Sequence, residues 1–194
     1  ASDVYKRQVY MEDDYKFKVL GGTLDDAIGE AYDKVARVLG LKYPGGPNVE
    51  KMALNGKPSY KLPIPMNDES LNMSFSGLKS SIINLVHNEQ QRNRKINRED
   101  LACSFQTVAT DQLVRKLELA IKQTNIKNII IAGGVSANQY IRSEITKLAS
   151  KYNANISVPK LLYCTDNAAM IGAAAYPPVS YTHLRAHETR SNLV

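Results

Sequence analysis

The sequence predicts an α/β fold, and three features of the chain carry that prediction. An apolar β-branched run over 129–131 is typical of a strand buried on both faces of a parallel sheet. Gly133 and Gly134 end this strand, and a helical apolar period over 139–151 follows. A second short strand over 156–159 repeats the order of strand and then helix. We therefore expect helices packed on a sheet that contains parallel strands.

Composition narrows the class of protein. The chain has 194 residues, of which 43% are hydrophobic and 23% charged, and this suits one globular domain or one lobe of a larger protein. No apolar run approaches the roughly 20 residues that span a bilayer, and no charged and then apolar leader opens the chain. Two cysteines fit a reducing compartment better than a disulfide scaffold, so we expect a cytoplasmic protein. The net charge of +6 permits a polyanionic partner without requiring one.

Both ends of the chain look foreign to the rest. Residues 1–8 and 178–194 resemble translated sequencing adaptors, and we exclude them from fold reasoning. We expect 9–177 to be part of a larger domain. His183 and His187 have the spacing of two metal ligands on one helix face, but we interpret the pair as an accident of the tail.

The first helix is predicted to follow a surface strand. Alternating polar and apolar residues over 15–20 predict a half-exposed antiparallel strand. Thr23 is a favourable N-cap for a helix to about Leu39, and Gly40 is its expected stop. A polar stripe on this helix includes Asp33. It is either a solvated face or the place where a ligand or another backbone approaches.

The middle of the chain is predicted to be a loop and three helices. Two prolines bracket two glycines in 41–47, which favours a loop whose backbone faces a ligand over a plain turn. Helices are predicted over 48–54 and 74–91, and a long one runs from its cap at Asn97 to about residue 124. Lys79 lies near the start of the helix predicted over 74–91, where the helix dipole favours anions, so it is either solvated or in contact with an anionic ligand.

Two junctions carry candidate chemistry. After the central strand, Gly133 and Gly134 let the backbone approach a ligand closely, and the next helix points its N-terminus at the same place. This is either a cradle for a nucleotide or phosphate or an ordinary turn. At the second junction, Thr165 or Asp166 either caps the last helix, or Asp166 is a metal or phosphate-side ligand. Spacing alone leaves both alternatives open.

Four separate motifs, in this order and spacing, resemble those of one family. The family is that of the bacterial tRNA threonylcarbamoyladenosine transferases (TsaD), historically labelled a glycoprotease. The motifs are Thr-Leu-Asp-Asp-Ala-Ile-Gly-Glu-Ala-Tyr-Asp-Lys-Val-Ala (23–36), Tyr-Pro-Gly-Gly-Pro (43–47), Ser-Phe-Ser-Gly-Leu-Lys (74–79), and Ala-Gly-Gly-Val-Ser-Ala-Asn (132–138) paired with Cys-Thr-Asp-Asn-Ala-Ala-Met (164–170).

The resemblance implies a fold and an activity. The fold is actin-like, as in sugar kinases and Hsp70, with two α/β lobes of which this chain carries mainly the C-terminal one. The activity is transfer of threonylcarbamoyl from its adenylate to N6 of the adenosine next to the anticodon, in tRNAs reading codons that begin with A. The implied partners are an actin-like subunit and an ATPase subunit. The alternatives are a non-catalytic actin-like scaffold subunit of the same complex, or another actin-like kinase or carbamoyltransferase.

The resemblance also implies site residues. Asp166 would be a metal ligand, for Fe²⁺ or alternatively Zn²⁺, but the family's two other ligands, histidines four apart, are not present here. Glu50 stands where the family commonly has aspartate. No residue is assignable as catalytic, and we expect the chain alone to be inactive and to bind metal weakly. The residues expected to contact the adenylate donor are Asp33, Gly46, Glu50 and Asn138, with Gly133 and Gly134 as the nucleotide cradle.

Overall fold

Two small sheets and six α-helices make up the part of the chain that the structure, a computed structural model, describes: residues 7–13 and 16–181, with side chains to 175. The predictions for residues 1–6, 14–15 and 182–194, including His183 and His187, lie outside the described residues. The elements are β1 (Arg7–Asp13), β2 (Lys16–Gly22), α1 (Ile28–Val38), α2 (Gly45–Ala53), α3 (Ser76–Gln91), α4 (Arg98–Thr124), β3 (Asn128–Ile130), α5 (Gln139–Lys151), β4 (Asn155–Ser157) and α6 (Ala168–Tyr181), with 3-10 turns at Gly134–Ala137 and Leu161–Tyr163.

The α/β class is confirmed, and the central strand is parallel as predicted. β3 and β4 pair in parallel with Ile129 opposite Ile156, and α5 forms the crossover between them. The prediction that the central strand is buried on both faces is wrong, because Ile130 is 75% exposed. Among the described residues β4 is the only strand that pairs with β3, so one edge of β3 has no strand beside it.

The other sheet is an antiparallel hairpin. The alternating pattern over 15–20 predicts its second strand, β2, whereas the first strand, β1, is not predicted from the sequence. Val9 faces Val19 across the hairpin, and Met11 faces Phe17. β1 includes Arg7 and residue 8, two positions of the segment assigned to an adaptor, so the boundary of that segment stays a prediction.

The predicted start of α1 is wrong. Thr23 does not cap the helix, which begins five residues later at Ile28, because Thr23 pairs with Met73 in a single β-bridge. Asp25 caps α3 instead, since one carboxylate oxygen accepts from the backbone N–H of Phe75 at 2.8 Å. The predicted stop is confirmed, because Gly40 adopts a φ of 73° at the end of α1.

The core lies between α1, α2, α3 and α4. Tyr32 of α1 and Phe105 of α4 meet edge to face with ring centroids 4.9 Å apart, and both side chains are fully buried. The cap of α4 is confirmed, since the Asn97 side chain accepts from the backbone N–H of Asp100 at 3.0 Å. Within the described residues, no helix combines the length and the apolar character that a membrane crossing needs.

The predicted helix over 48–54 starts earlier than expected. α2 begins at Gly45, inside the segment predicted to be a loop, with Pro44 as its N-cap residue and a cis peptide bond between Tyr43 and Pro44. The two glycines of the Pro-Gly-Gly-Pro motif therefore form the first turn of a helix. Their backbone N–H groups therefore have no carbonyl partner within the helix, and the N–H group of the buried Gly45 faces α1.

Candidate functional site

The first part of the candidate site is the contact between α1 and the start of α2. Asp33 of α1 accepts a hydrogen bond from the backbone N–H of Gly45 at 2.7 Å through Oδ1. Gly45 is buried, and a Cβ there would lie 2.6 Å from Cα and Oδ1 of Asp33. The close packing of the two helices therefore requires glycine at this position.

Two other glycines border open space. A Cβ on Gly46 or on Gly134 would meet no heavy atom within 4 Å, and neither residue has a positive φ. Neither the neighbouring atoms nor the backbone conformation requires glycine at these positions. Gly133 differs, because its φ of 93° lies in the region that side chains disfavour. The open space beside Gly46 and Gly134 leaves room for a ligand against the backbone.

The start of α5 forms the third part of the site. Asn138 is its N-cap, and its Oδ1 accepts from the backbone N–H of Ile141 at 2.9 Å. Its Nδ2 donates to Oε1 of Gln106 at 3.3 Å, and the side chain is buried. Glu50 of α2 accepts from the backbone N–H of Gln139 at 2.6 Å through Oε1. A carboxylate at a helix N-terminus is stabilised by the unpaired N–H groups and by the helix dipole.

These contacts bring the predicted donor-binding residues together. Gly46 and Glu50 are four residues apart and share one face of α2, the face that reaches α5. α1 touches the turn before α5, because a Cβ on Gly29 would lie 3.3 Å from Val135. The residues that surround this junction of α1, α2 and α5 are Asp33, Gly46, Glu50, Gly133, Gly134 and Asn138.

A buried phenol lies under this junction. The Tyr32 side chain is fully buried on α1, and burial raises the pKa of its hydroxyl well above the usual value. The negative charge of Glu50 raises this pKa further. Tyr32 therefore stays neutral over the physiological pH range and offers a hydroxyl, not a phenolate, to its surroundings.

Asp166 lies in the connection before α6 and is exposed. The prediction that Thr165 or Asp166 caps α6 is wrong, because Asn167 accepts from the backbone N–H of Met170 at 3.0 Å. Among the described residues, Asp166 has neither a hydrogen bond nor an ion pair with another side chain. Its carboxylate is therefore available to a ligand.

The described residues do not make a complete metal site. No group of three or more histidine, cysteine, aspartate or glutamate side chains in 7–13 and 16–175 is arranged to hold a metal ion. Asp166 fits one oxygen ligand for a divalent cation. A single carboxylate does not complete the coordination shell of such a cation.

The sequence is also compatible with a basic tRNA-binding surface made by Lys79, Arg92, Arg94, Lys95, Lys116 and Arg142, but these side chains are not all exposed. Lys116 is fully buried, where its Nζ donates to Asp68 and to the carbonyl of Ser70, each at 2.6 Å. Lys79 lies 3.9 Å from Asp26. Arg142 is half-buried and bonded to carbonyl groups. The three arginine and lysine residues of 92–95 remain exposed.

Comparison with known proteins confirms the resemblance. Residues 3–173 match the model of the TsaD family, described as tRNA N6-adenosine threonylcarbamoyltransferase. The enzyme of that name from Mycoplasma capricolum is 54% identical over 165 residues, which cover 84% of this chain and 52% of the relative. The enzyme of the same name from Mesoplasma florum is 54% identical over 163 residues, which cover 83% of this chain and 51% of the relative. The enzyme of the same name from Staphylococcus carnosus is 47% identical over 169 residues, which cover 87% of this chain and 49% of the relative.

The chain thus spans about half the length of the curated relatives that it matches. The family match covers most of the chain and includes every motif on which the resemblance was based. The chain belongs to the TsaD family of tRNA N6-adenosine threonylcarbamoyltransferases.

Proposed function

We propose that this chain is the part of a tRNA N6-adenosine threonylcarbamoyltransferase that binds the adenylate donor. The observation that carries the proposal is the meeting of Asp33, Gly46, Glu50 and Asn138 at one junction, through the contacts of Asp33 with Gly45 and of Glu50 with Gln139. In the full-length protein, this chain would form most of the C-terminal lobe of an actin-like fold.

The chemistry of the junction suits a ribonucleoside phosphate. Asp33 and Glu50 each direct one oxygen at backbone N–H groups, and each keeps a second oxygen without a partner among the described residues. Vicinal ribose hydroxyls would donate to these free oxygens, because a charged acceptor strengthens such hydrogen bonds. Gly46 and Gly134 leave room for a flat base or a phosphate group close to the backbone.

The metal belongs to the same proposal. Asp166 would provide one ligand for Fe²⁺, or alternatively Zn²⁺, and the remaining ligands would come from the other part of the full-length protein. A bound divalent metal supplies Lewis-acid polarisation of a substrate carbonyl or phosphate oxygen. We expect the chain by itself to bind metal weakly and to transfer no threonylcarbamoyl group, because it contributes a single ligand.

The acceptor and the partners follow from the family. The relatives are named as enzymes that act on tRNA. We propose that the full-length protein modifies tRNAs reading codons that begin with A, together with an actin-like subunit and an ATPase subunit, in the cytoplasm. The exposed basic residues near the end of α3 would contribute to contact with the tRNA backbone.

Replacing Asp33 by asparagine in the full-length protein tests the donor site. The amide side chain keeps an oxygen that accepts from Gly45, so the contact between α1 and α2 survives, but the charged acceptor is lost. We expect about tenfold weaker binding of a hydrolysis-resistant donor analogue by titration calorimetry, the effect of one lost hydrogen bond to a charged group. Glu69→Gln, the same change at an exposed carboxylate, is the matched control. Unchanged affinity in Asp33→Asn would overturn the assignment.

A further inference from the structure

Arg142 connects two segments that the sequence treats as separate. It lies near the start of α5 and is half-buried. Its Nε donates to the carbonyl of Ser136, in the turn that follows the two cradle glycines. Its Nη2 donates to the carbonyl of Pro159 at 3.0 Å and to Sγ of Cys164 at 3.2 Å, both in the connection between β4 and α6. One side chain thus bonds to the cradle and to the segment that leads to Asp166.

The contacts of Arg142 depend on the shape of its head group. In the described part of the chain, no carboxylate lies within ion-pair distance of Arg142, and all three acceptors are neutral. A guanidinium holds its donors in a rigid planar fork, so it bonds to separate acceptors at the same time. A lysine ammonium would preserve the charge but could not reproduce these directions. The arrangement therefore uses the geometry of arginine more than its charge.

Cys164 is the anchor on the far side of this link. Only 2% of the residue is exposed, and its Sγ lies 3.5 Å from the carbonyl oxygen of Lys160. The sulfur therefore accepts from Arg142 while its own hydrogen faces a carbonyl. Asp166 follows two residues later, exposed and without a partner among the described side chains. Among the described residues, the bonds of Asn167 next to Asp166 stay within the segment, and the nearest hydrogen bond that ties this segment to another element is that of Arg142 with Cys164.

We propose that Arg142 is a positioning residue that fixes the segment carrying Asp166 relative to the turn over 133–138. The catalytic importance of this link rests on the proposed function, in which the turn binds the adenylate donor and Asp166 is a ligand of the metal ion. Arg142 then acts through the two segments that it joins, and it contacts no substrate itself. It sets the distance between donor binding and metal ligation.

The first test measures this link without any assay of activity. The full-length protein with Arg142→Lys is labelled with a thiol reagent, and modified peptides are quantified by mass spectrometry. We expect Cys164 to react about tenfold faster than in the wild type, as one lost hydrogen bond to a charged group would produce. Cys103, half-buried on α4, is the internal reference for global unfolding. Arg98→Lys, at an exposed arginine, is the matched control and should leave both rates unchanged.

Two results of this test would overturn the proposal. If Cys164 in Arg142→Lys reacts at the wild-type rate, then a positive charge alone is sufficient to hold the segment, and the planar guanidinium is not required. If Cys103 and Cys164 accelerate equally, then Arg142 supports the whole fold and not this link in particular. Acceleration confined to Cys164 supports the proposal.

The second test separates positioning from binding. In Arg142→Lys we expect kcat for tRNA modification to fall about tenfold, while KM for the donor changes less than about threefold, because the donor contacts are retained. A rise in KM with kcat unchanged would contradict the proposal. If the wild-type protein modified no tRNA, the proposed function would fail, yet the labelling of Cys164 would still decide whether Arg142 forms the link.

Discussion

The two adjacent glycines at the start of α2 give the sharpest prediction, because the same substitution should have opposite effects at the two positions. In Gly45→Ala the new Cβ would lie 2.6 Å from Cα of Asp33, whereas ordinary contact begins at about 3.4 Å. α1 and α2 must then separate by roughly 1 Å, which also weakens the bond from Gly45 to Asp33. We expect the free energy of unfolding to fall by about 2 to 4 kcal/mol, from overpacking together with a weakened charge-assisted hydrogen bond.

Gly46→Ala should leave the fold intact. A Cβ at Gly46 meets no atom within 4 Å, and alanine at a position with compatible backbone angles stabilises a protein by roughly 0.4 to 1 kcal/mol, because it restricts the unfolded chain. The methyl group would instead occupy the space that we assign to the donor. We expect affinity for a donor analogue to fall about tenfold, equivalent to about 1.4 kcal/mol.

Both variants are made in the full-length protein. Urea unfolding followed by circular dichroism gives the stability, and titration calorimetry with the donor analogue gives the affinity. Each variant is the control for the other, because the chemical change is identical and the positions are neighbours. Equal stability of Gly45→Ala and Gly46→Ala would refute the role assigned to Gly45. Donor binding by Gly46→Ala as tight as that of the wild type would refute the role assigned to Gly46.

Three further predictions concern single side chains. Lys116→Met should lower the free energy of unfolding by about 1 to 3 kcal/mol, because the fully buried ammonium bonds to Asp68 and to the carbonyl of Ser70. Urea unfolding measures this change, and an unchanged midpoint would contradict the prediction. Burial raises the pKa of Asp25, but hydrogen bonds from hydroxyl and backbone N–H groups at the start of α3 outweigh this and lower it to about 2. The ionised Asp25 side chain therefore contributes its full stabilisation above the unfolded pKa of about 3.8, and this contribution is lost as the pH falls towards 2. In Asp25→Asn the free energy of unfolding should decline less steeply between pH 4 and pH 2 than in the wild type. An equally steep decline would refute the assignment. Glu50→Asp should lower the free energy of unfolding by about 1 kcal/mol, because the shorter side chain no longer reaches the backbone N–H of Gln139. Glu50→Gln keeps the length of the side chain and should lower it less. Equal losses of stability in the two variants would argue against the contact.

The sequence predicted the parts of the fold that depend on neighbouring residues. The cap at Asn97 and the stop at Gly40 are local, since each acts within one helical turn, and both are observed. The parallel pair of β3 and β4 followed from two apolar runs with a helix between them. Local signals of this kind do not depend on where the rest of the chain lies.

Long-range contacts account for the wrong predictions. Asp25 follows Thr23, the predicted N-cap of α1, but it caps α3 from 50 residues away and α1 starts after it. Lys116 looks like a surface lysine, but its partner Asp68 lies 48 residues earlier. The polar contact that decides each case joins segments far apart in sequence, so no periodicity or propensity reveals it.

The candidate site shows the same division. The family resemblance singled out Asp33, Gly46, Glu50 and Asn138 one by one as candidates, and the structure adds how they meet. That Glu50 binds the start of α5 could not be read from its position in α2. Arg142 did carry a signal, because it follows Asn138 by four residues and so shares the helix face of that cap. Without the acceptors at Pro159 and Cys164, that spacing had no meaning.

The central claim is that α1, α2 and the start of α5 together form the donor site. A crystal structure of the full-length protein with a hydrolysis-resistant threonylcarbamoyl-adenylate analogue tests it most directly. We predict that ribose hydroxyls bond to Asp33 and Glu50, and that the analogue lies against Gly46 and Gly134. An analogue bound elsewhere, with the space beside these glycines still open, would contradict the account.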